Sequence, residues 1–161
     1  MTDATATTEI TTYDESLLCV RSLDAGYGDL QILETVDLDV ADGEYVTIVG
    51  PNGAGKSTVM KSVFGLTTYM GGDIEFDGDA IEGRRPEEII YHGIGYVPQS
   101  DNVFPSLSVE ENLEMGAYIL DEVPDDAMQA VYDRFPILDE RRGQKAGKLS
   151  GGQQQMLAMG R

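Results

Sequence analysis

A glycine-rich run, Gly50 to Ser57, contains the residue types that hold a phosphate chain. It reads Gly-Pro-Asn-Gly-Ala-Gly-Lys-Ser and satisfies the pattern G-x-x-x-x-G-K-[ST]. Glycines let backbone N–H groups turn toward phosphate oxygens, and Lys56 supplies a cation for the β- and γ-phosphates of a nucleoside triphosphate. The alternative is a glycine turn that only joins a strand to a helix. The predicted phosphate-binding residues are Gly50, Asn52, Gly53, Ala54, Gly55, Lys56, Ser57 and Thr58.

The elements on either side of this run have the order that a phosphate loop requires. The apolar stretch Tyr45 to Val49 predicts a strand, and residues Ser57 to about Phe64 predict a helix. Strand, glycine loop and helix in that order favour phosphate binding over a simple turn. The hydroxyl of Ser57 is then a predicted ligand for Mg²⁺.

A second motif, Leu149 to Gln153, follows about a hundred residues later and reads Leu-Ser-Gly-Gly-Gln. Taken alone, it is better explained as a serine-glycine helix cap. Placed after a phosphate loop, it resembles the signature of the ATP-binding cassette (ABC) family, and this resemblance covers nearly all of Leu17 to Arg161.

The resemblance implies an α/β fold of the P-loop NTPase type, with an antiparallel β subdomain and a helical subdomain, incomplete at its C-terminus. It implies ATP and Mg²⁺ as cofactors. It also implies that two cassettes pair head to tail, so that Ser150, Gly151, Gly152 and Gln153 contact the nucleotide held by the second cassette. An exposed helix N-terminus suits that anionic target.

Two further positions match the family residue by residue. Gln99 resembles the glutamine that reaches Mg²⁺ and the attacking water and couples to the membrane partner; the alternative is a polar strand end. Tyr27, between Gly26 and Gly28, resembles the aromatic residue that stacks on adenine. An aromatic residue beside glycines is also an ordinary turn residue.

Val103 to Leu113 and Arg134 to Pro136 resemble the ATP-binding subunits of branched-chain amino acid importers, although urea and short-chain amide importers are similar there. The leading hypothesis is an ATP-hydrolysing subunit of an importer, cytoplasmic and docked on a membrane permease. One alternative is a nucleotide-binding module without turnover. Another is a non-transport ABC protein, which the acidic charge and the absence of a long coiled coil disfavour.

The family places an Asp-Glu strand and a switch histidine after the signature, and neither follows before Arg161. Tyr118 to Glu122 and Ile137 to Glu140 have similar letters but precede the signature, and His92 lies far upstream of the switch position. We therefore expect the first two-thirds of a cassette, inactive in hydrolysis by itself. Strands between the phosphate-loop strand and the Gln99 strand would be absent.

The remaining patterns predict the domain organisation. Residues 1–16 are expected to be a disordered tail rich in threonine and acids, and residues 17–161 a partial ABC domain with its helical subdomain at about 104–150. Leu17 to Leu23 and Gln31 to Val40 predict paired strands, the second presenting Ile32, Val36, Leu38 and Val40 on one face. Further strands are predicted at 73–76 and 94–97, and helices at 86–91, at 108–118 with Ser108 and Glu111 as a capping box, at 125–135, and after Ser150.

The charge excludes one class of partner. The chain has 29 acidic and 11 basic residues, a formal net charge of -18, so nucleic acid is not expected to bind. Acid spread along the chain fits a salt-adapted microbial cytoplasm, where repulsion is screened. No secretory signal and no apolar run long enough to span a membrane is expected.

Overall fold

The computed structural model describes residues 16–119, 124 and 126–161. They form two compact units, the first ending at Tyr96 and the second beginning at Val97. The first fifteen residues of the predicted tail lie outside the described residues, and Ser16, its last residue, begins the first strand. In the described ranges, no helix combines the length and the apolar character needed to cross a bilayer.

The first unit is built on an antiparallel sheet. Strands β1 (Ser16–Tyr27) and β2 (Leu30–Ala41) form a hairpin, as predicted, and β3 (Thr68–Phe76) pairs with the other side of β1. The short β4 (Asp79–Ala80) completes the order β2-β1-β3-β4. One face of this sheet carries the core of the unit, so the sheet is the platform on which the glycine loop and its helix rest.

Helix α1 (Lys56–Val63) begins within the predicted phosphate loop and buries one side against the sheet. The shared core consists of Val20, Leu23, Ala25, Leu33, Val59, Val63, Ile74 and Ile81. Helix α2 (Pro86–Ile89) and a 3₁₀ turn at Ile90–His92 follow, and Gly93 ends them with a φ of 88°. That left-handed conformation is the one that a glycine adopts most readily after a helix.

The alternation predicted along β2 is wrong at its beginning. Leu33 is buried and Ile32 is exposed, whereas Val36 and the later apolar residues face inward as expected. Between them Thr35 has a φ of 52°, and its amide donates to Asp24 Oδ1 at 2.8 Å. This irregularity adds one residue to the strand and therefore moves the preceding side chains to the opposite face.

The strands predicted at 45–49 and 94–97 do not form. Tyr45 is 98% exposed and Val49 is 83% exposed, although both are apolar. A strand needs a neighbour that accepts and donates main-chain hydrogen bonds, and no described segment pairs with either stretch. Both stretches have the apolar composition of a strand, but a strand also requires a neighbouring strand to pair with.

The second unit is helical. It contains α3 (Val109–Gly116), a 3₁₀ turn at Ala117–Ile119, and α4 (Ala127–Arg134). Two more helices are α5 (Pro136–Asp139) and α6 (Gly151–Gly160), the latter preceded by a 3₁₀ turn at Ala146–Lys148. The predicted helices are confirmed within a turn, whereas α5 was not predicted. The core of the unit consists of Val109, Leu113, Tyr132, Leu138, Ala146, Leu149 and Leu157.

The two Asp-Glu runs that precede the signature differ in what the structure describes. Asp121 and Glu122 lie outside the described residues. Asp139 ends helix α5, and Glu140 is the residue that caps it. The second run is therefore helical, which agrees with the expectation that it is not the acidic end of a buried strand.

Candidate functional site

The glycine loop leads directly into helix α1. Asn52 and Gly53 form an exposed turn, and Gly53 and Gly55 have φ values of 84° and 82°. Gly55 is the N-cap of α1, and a Cβ added there would lie 2.9 Å from Leu33 Cδ2. Because both the left-handed backbone and the close packing exclude a side chain, glycine is required at this position. Leu33, which faces the core because of the bulge at Thr35, thus packs against the end of the loop at Gly55.

Lys56 closes the loop on itself. Its Nζ donates to the carbonyl oxygens of Gly50 at 2.9 Å and Pro51 at 2.7 Å. The amide of Ala54 also donates to Pro51 O at 3.3 Å. These bonds hold the ammonium group across the start of the loop, so its charge lies where the loop curves.

The backbone amides at the end of the loop indicate an anion-binding site. Within the described part of the chain, the amides of Gly53, Gly55, Lys56 and Ser57 donate to no protein acceptor. Such amides at a helix N-terminus attract negative charge. No carboxylate occurs in residues 50–58. The donor set therefore fits a polyphosphate, and Lys56 adds a positive charge to it.

Ser57 and Thr58, both predicted site residues, are placed differently. The Ser57 side chain is exposed, as a ligand for Mg²⁺ must be. Thr58 is buried, and its amide already donates to Gly55 O at 2.8 Å. Thr58 is thus occupied in building the helix, and its direct role in binding stays a prediction. Among the residues that the structure describes, no group of three or more His, Cys, Asp or Glu side chains comes together as a metal site.

A cleft of about 460 Å³ opens beside Lys56 and Ser57. Apart from these two residues and Thr47, it is lined by the apolar side chains of Leu38, Val40, Val46, Ile48 and Met60. Within the described ranges, no carboxylate lines it. The loop therefore has a largely apolar neighbour on this side.

Tyr27 ends strand β1 and is 44% exposed. The preceding Gly26 is buried, and it packs so closely against β2 that an added Cβ would lie 1.9 Å from Leu30 O. The next amide, of Gly28, donates to Thr68 Oγ1 at 3.0 Å. Lys61, which the sequence analysis did not consider, places its Nζ 5.9 Å from the centre of the Tyr27 ring.

In the second unit, the signature residues form the start of α6. Ser150 is the N-cap: its Oγ accepts from Gln153 N at 3.4 Å, and Gln153 Oε1 accepts from Ser150 N at 3.0 Å. The Ser150 hydroxyl accepts in this cap and keeps its own proton to donate elsewhere. Gly151 and Gly152 are exposed, and a Cβ at either would meet nothing within 4 Å. The fold of the described residues does not itself require glycine at these two positions.

Asn112 anchors the approach to the signature. It is fully buried; its Oδ1 accepts from Phe104 N at 2.7 Å, and its Nδ2 donates to Phe104 O at 3.0 Å and to Ser108 O at 2.8 Å. The loop held in this way pairs with the residues before α6, through Gly147 N to Pro105 O at 3.0 Å and Ala146 N to Leu107 O at 2.9 Å. In the sequence, Asn112 is one residue of the stretch from Val103 to Leu113, and its local pattern does not predict these hydrogen bonds.

Gln99 is exposed, shortly before Asn102. The side-chain Nδ2 of Asn102 donates to Pro98 O at 3.3 Å and to Gln155 Oε1 at 2.6 Å, which connects this segment to α6. Gln99 itself makes no hydrogen bond with any described residue. Its predicted contact with Mg²⁺ stays a prediction.

Comparison with known proteins gives a family and relatives. Residues 33–161 match the ABC transporter family. A probable branched-chain amino acid transport ATP-binding protein of Archaeoglobus fulgidus is 48% identical over 144 residues, covering 89% of this chain and 61% of that protein. A high-affinity branched-chain amino acid transport ATP-binding protein of Pseudomonas aeruginosa is 44% identical over 138 residues, covering 84% and 58%. The chain thus spans about three-fifths of the length of these relatives.

Solved structures give the same fold. An ATP-binding cassette of an ABC transporter, crystallised in its ADP conformation, has a TM-score of 0.77 at 27% identity, covering 91% of this chain and 63% of that one. A nucleotide-free ATP-binding cassette has a TM-score of 0.77 at 26% identity, covering 90% and 63%. The chain belongs to the ABC transporter family, and its fold is that of a partial ATP-binding cassette.

Proposed function

We propose that this chain is the ATP-binding part of an importer subunit that hydrolyses ATP to drive solute uptake, with branched-chain amino acids as the solute. The observation that carries the proposal is the loop before α1. Four amides without protein acceptors and the Lys56 ammonium group lie together there. The names of the two relatives support the choice of solute.

The roles of the individual residues follow from their chemistry. The loop amides and Lys56 would bind the β- and γ-phosphates, and Tyr27 would stack on adenine. Ser57 and Gln99 would hold Mg²⁺, which, when bound, neutralises part of the charge on the phosphates. Lys56 is the residue on which hydrolysis should depend most, because its charge stabilises the charge that develops in the transition state.

A second cassette is the proposed partner at the signature. Gly151 and Gly152 are exposed, and their amides and the proton of the Ser150 hydroxyl donate to no acceptor among the described residues. The open space around both glycines would let a phosphate approach those amides closely. Two cassettes would then enclose two ATP molecules, as a homodimer or a heterodimer.

The remaining proposed partner is a membrane permease, which would hold the subunit at the inner face of the cell membrane. The net charge of -18 supports a cytoplasm of high salt concentration, where such a surface stays hydrated and its repulsion is screened. Nucleic acid is not a proposed partner, for the same electrostatic reason.

The first test is ATP hydrolysis by the complete gene product assembled with its permease. We expect Lys56→Ala to lower the rate by about 100-fold or more, because a preorganised charge at the transition state is lost. Arg134→Ala removes an exposed charge outside the site and serves as the matched control. Equal rates for Lys56→Ala and the wild type would exclude the proposed function.

The solute is tested by uptake in a strain that lacks the gene. Uptake of leucine, urea and short peptides is measured with the wild-type gene and with Lys56→Ala restored on a plasmid. We expect the strain with Lys56→Ala to lose uptake of leucine and to keep uptake of urea and short peptides. Unchanged leucine uptake would remove branched-chain amino acids from the proposal and leave the ATPase role to the first test.

A second candidate is nucleotide binding without turnover by the 161-residue chain alone. The cleft beside Ser57 favours it, since none of the described residues places a carboxylate there to polarise a water molecule. ATP binding that Lys56→Ala removes, without phosphate release by the same sample, would support this candidate. Turnover that requires both Mg²⁺ and Lys56 would contradict it.

A further inference from the structure

The pairing of Tyr27 with Lys61 connects two parts of the candidate site. The Lys61 Nζ lies 5.9 Å from the centre of the Tyr27 ring, within the range in which an ammonium group is attracted to an aromatic face. Lys61 belongs to the last turn of α1 and is half-buried, and Tyr27 ends strand β1. The contact therefore joins the helix that begins at the phosphate loop to the tyrosine of the sheet.

The backbone of Tyr27 is held more firmly than its ring. Tyr27 is paired with Leu30, and the adjacent Gly28 amide donates to Thr68 Oγ1. The residue as a whole is 44% exposed, and within the described residues Lys61 is the only aromatic or cationic contact of its ring. Lys61 is thus the side chain placed to select the orientation of the ring.

Helix α1 connects this contact to the phosphate loop. Lys56 and Lys61 are five residues apart, about 7.5 Å along a helix axis. Val59 and Val63, on the buried side, fix the helix to the sheet. Because a short, well-packed helix moves as one body, the cation at its last turn and the loop at its first turn keep a constant spacing.

We propose that Lys61 is a positioning residue for nucleotide binding: it holds the Tyr27 ring so that the free face can receive adenine. This inference rests on the proposed function, because it presumes that Tyr27 stacks on the base. A cation on one face of an aromatic ring leaves the opposite face for stacking. The simpler explanation, a lysine that only complements the helix C-terminus, predicts no dependence on the base.

The test compares ATP with inorganic triphosphate, which has no base, by ligand-observed NMR titration of the complete gene product without Mg²⁺, so that ATP is bound but not hydrolysed. Lys61→Met keeps most of the side-chain stem and removes the charge. We expect it to weaken ATP binding by about two- to fivefold, the equivalent of an exposed cation–π contact, and to leave triphosphate binding unchanged. Lys61→Arg, which keeps a cation over the ring, should restore ATP binding.

A second measurement needs no nucleotide. The Tyr27 ring should shift the NMR signals of the Lys61 Hε protons upfield, and Tyr27→Leu should abolish that shift. In the Tyr27→Leu background, Lys61→Met should cause no further loss of ATP binding, because the contact is already absent.

The outcomes separate the inference from the proposed function. If the complete gene product shows no ATP binding that Lys56→Ala removes, the proposed function fails and the inference fails with it. If that binding is present but Lys61→Met leaves it unchanged, or weakens ATP and triphosphate equally, only the positioning role is overturned. Absence of the upfield shift would also overturn it.

Discussion

Two buried side chains of the second unit differ in whether their polar atoms are hydrogen-bonded. Asn112 is fully buried and makes three hydrogen bonds to main-chain groups of Phe104 and Ser108. Tyr132 is only 2% exposed, and its hydroxyl has no partner among the described residues. Arg142 lies over its ring, 4.1 Å from the centre, and burial raises the pKa of the phenol. The hydrogen bonds of Asn112 stabilise the fold, whereas burial of the Tyr132 hydroxyl without a described partner costs free energy.

Tyr132→Phe tests this difference. The substitution removes a buried hydroxyl that makes no hydrogen bond and keeps the ring under Arg142. We expect the free energy of unfolding to stay the same or to rise by about 1 kcal/mol. Chemical denaturation in concentrated salt measures it.

Asn112→Ala is the contrasting control, since it leaves main-chain groups of Phe104 without partners. We expect a loss of about 2–4 kcal/mol. If Tyr132→Phe lowered stability by more than about 1 kcal/mol, the hydroxyl would have to possess a partner, and the explanation would be wrong.

At the scale of elements, helix starts organise the second unit. Helix α3 begins with Ser108 and Glu111, and α6 begins with Ser150 and Gln153, in both cases as a reciprocal capping box. Each box satisfies two backbone amides that a helix N-terminus leaves unpaired. In α3 the third residue is ionisable, so the cap depends on pH. In α6 it is not, so the signature keeps its cap at any pH.

Glu111→Gln isolates that dependence. The hydrogen bond from the Ser108 amide lowers the pKa of Glu111 below its ordinary value of 4.5. A lowered pKa means that the charged form contributes stability above about pH 4.5, and that this contribution is lost as the pH falls through the folded-state pKa. Glutamine still accepts the hydrogen bond but does not titrate.

The wild type should therefore be more stable than Glu111→Gln near pH 6, and the difference should vanish below the lowered pKa. Thermal melts across this range measure it. Glu88, whose pKa is lowered by the Arg85 amide, titrates in both chains and cancels in the comparison. A difference that stays constant with pH would contradict the assignment.

At the scale of the whole molecule, charge and exposed apolar surface act together. The net charge is -18, and the apolar residues Tyr45 and Val49 are almost fully exposed. Repulsion between acids favours expansion, and salt reduces it by screening. Excluded salts also strengthen apolar burial.

We expect the 161-residue chain to bind a hydrophobic dye in dilute buffer and to melt at a higher temperature in concentrated salt. The double variant Tyr45→Ser, Val49→Thr should bind less dye without a lower melting temperature, because neither side chain is packed. A sharp cooperative melt with no dye binding in dilute buffer would contradict this description.

The sequence by itself determined the features whose cause is local. The pattern from Gly50 to Ser57 predicted a loop entering a helix, and the glycines at 53 and 55 have the positive φ that this pattern requires. Ser108 and Glu111 predicted a helix cap because both partners lie within one turn. The β1–β2 hairpin was predictable from two nearby apolar runs. The roles of Tyr27, Gln99 and the signature residues in binding remain predictions.

Only the tertiary structure decided what depends on residues far apart in the chain. Leu33 replaced Ile32 in the core because Asp24, eleven residues away, holds the amide of Thr35 in a bulge. Residues 45–49 and 94–97 have strand-like composition but no described partner, and main-chain pairing cannot be satisfied from within one strand. The contact of Lys61 with Tyr27 has the same origin, because it joins a strand and a helix that are well separated in the chain. Local patterns specify dihedral angles and caps, whereas burial and side-chain partners are set by segments that meet only when the chain folds.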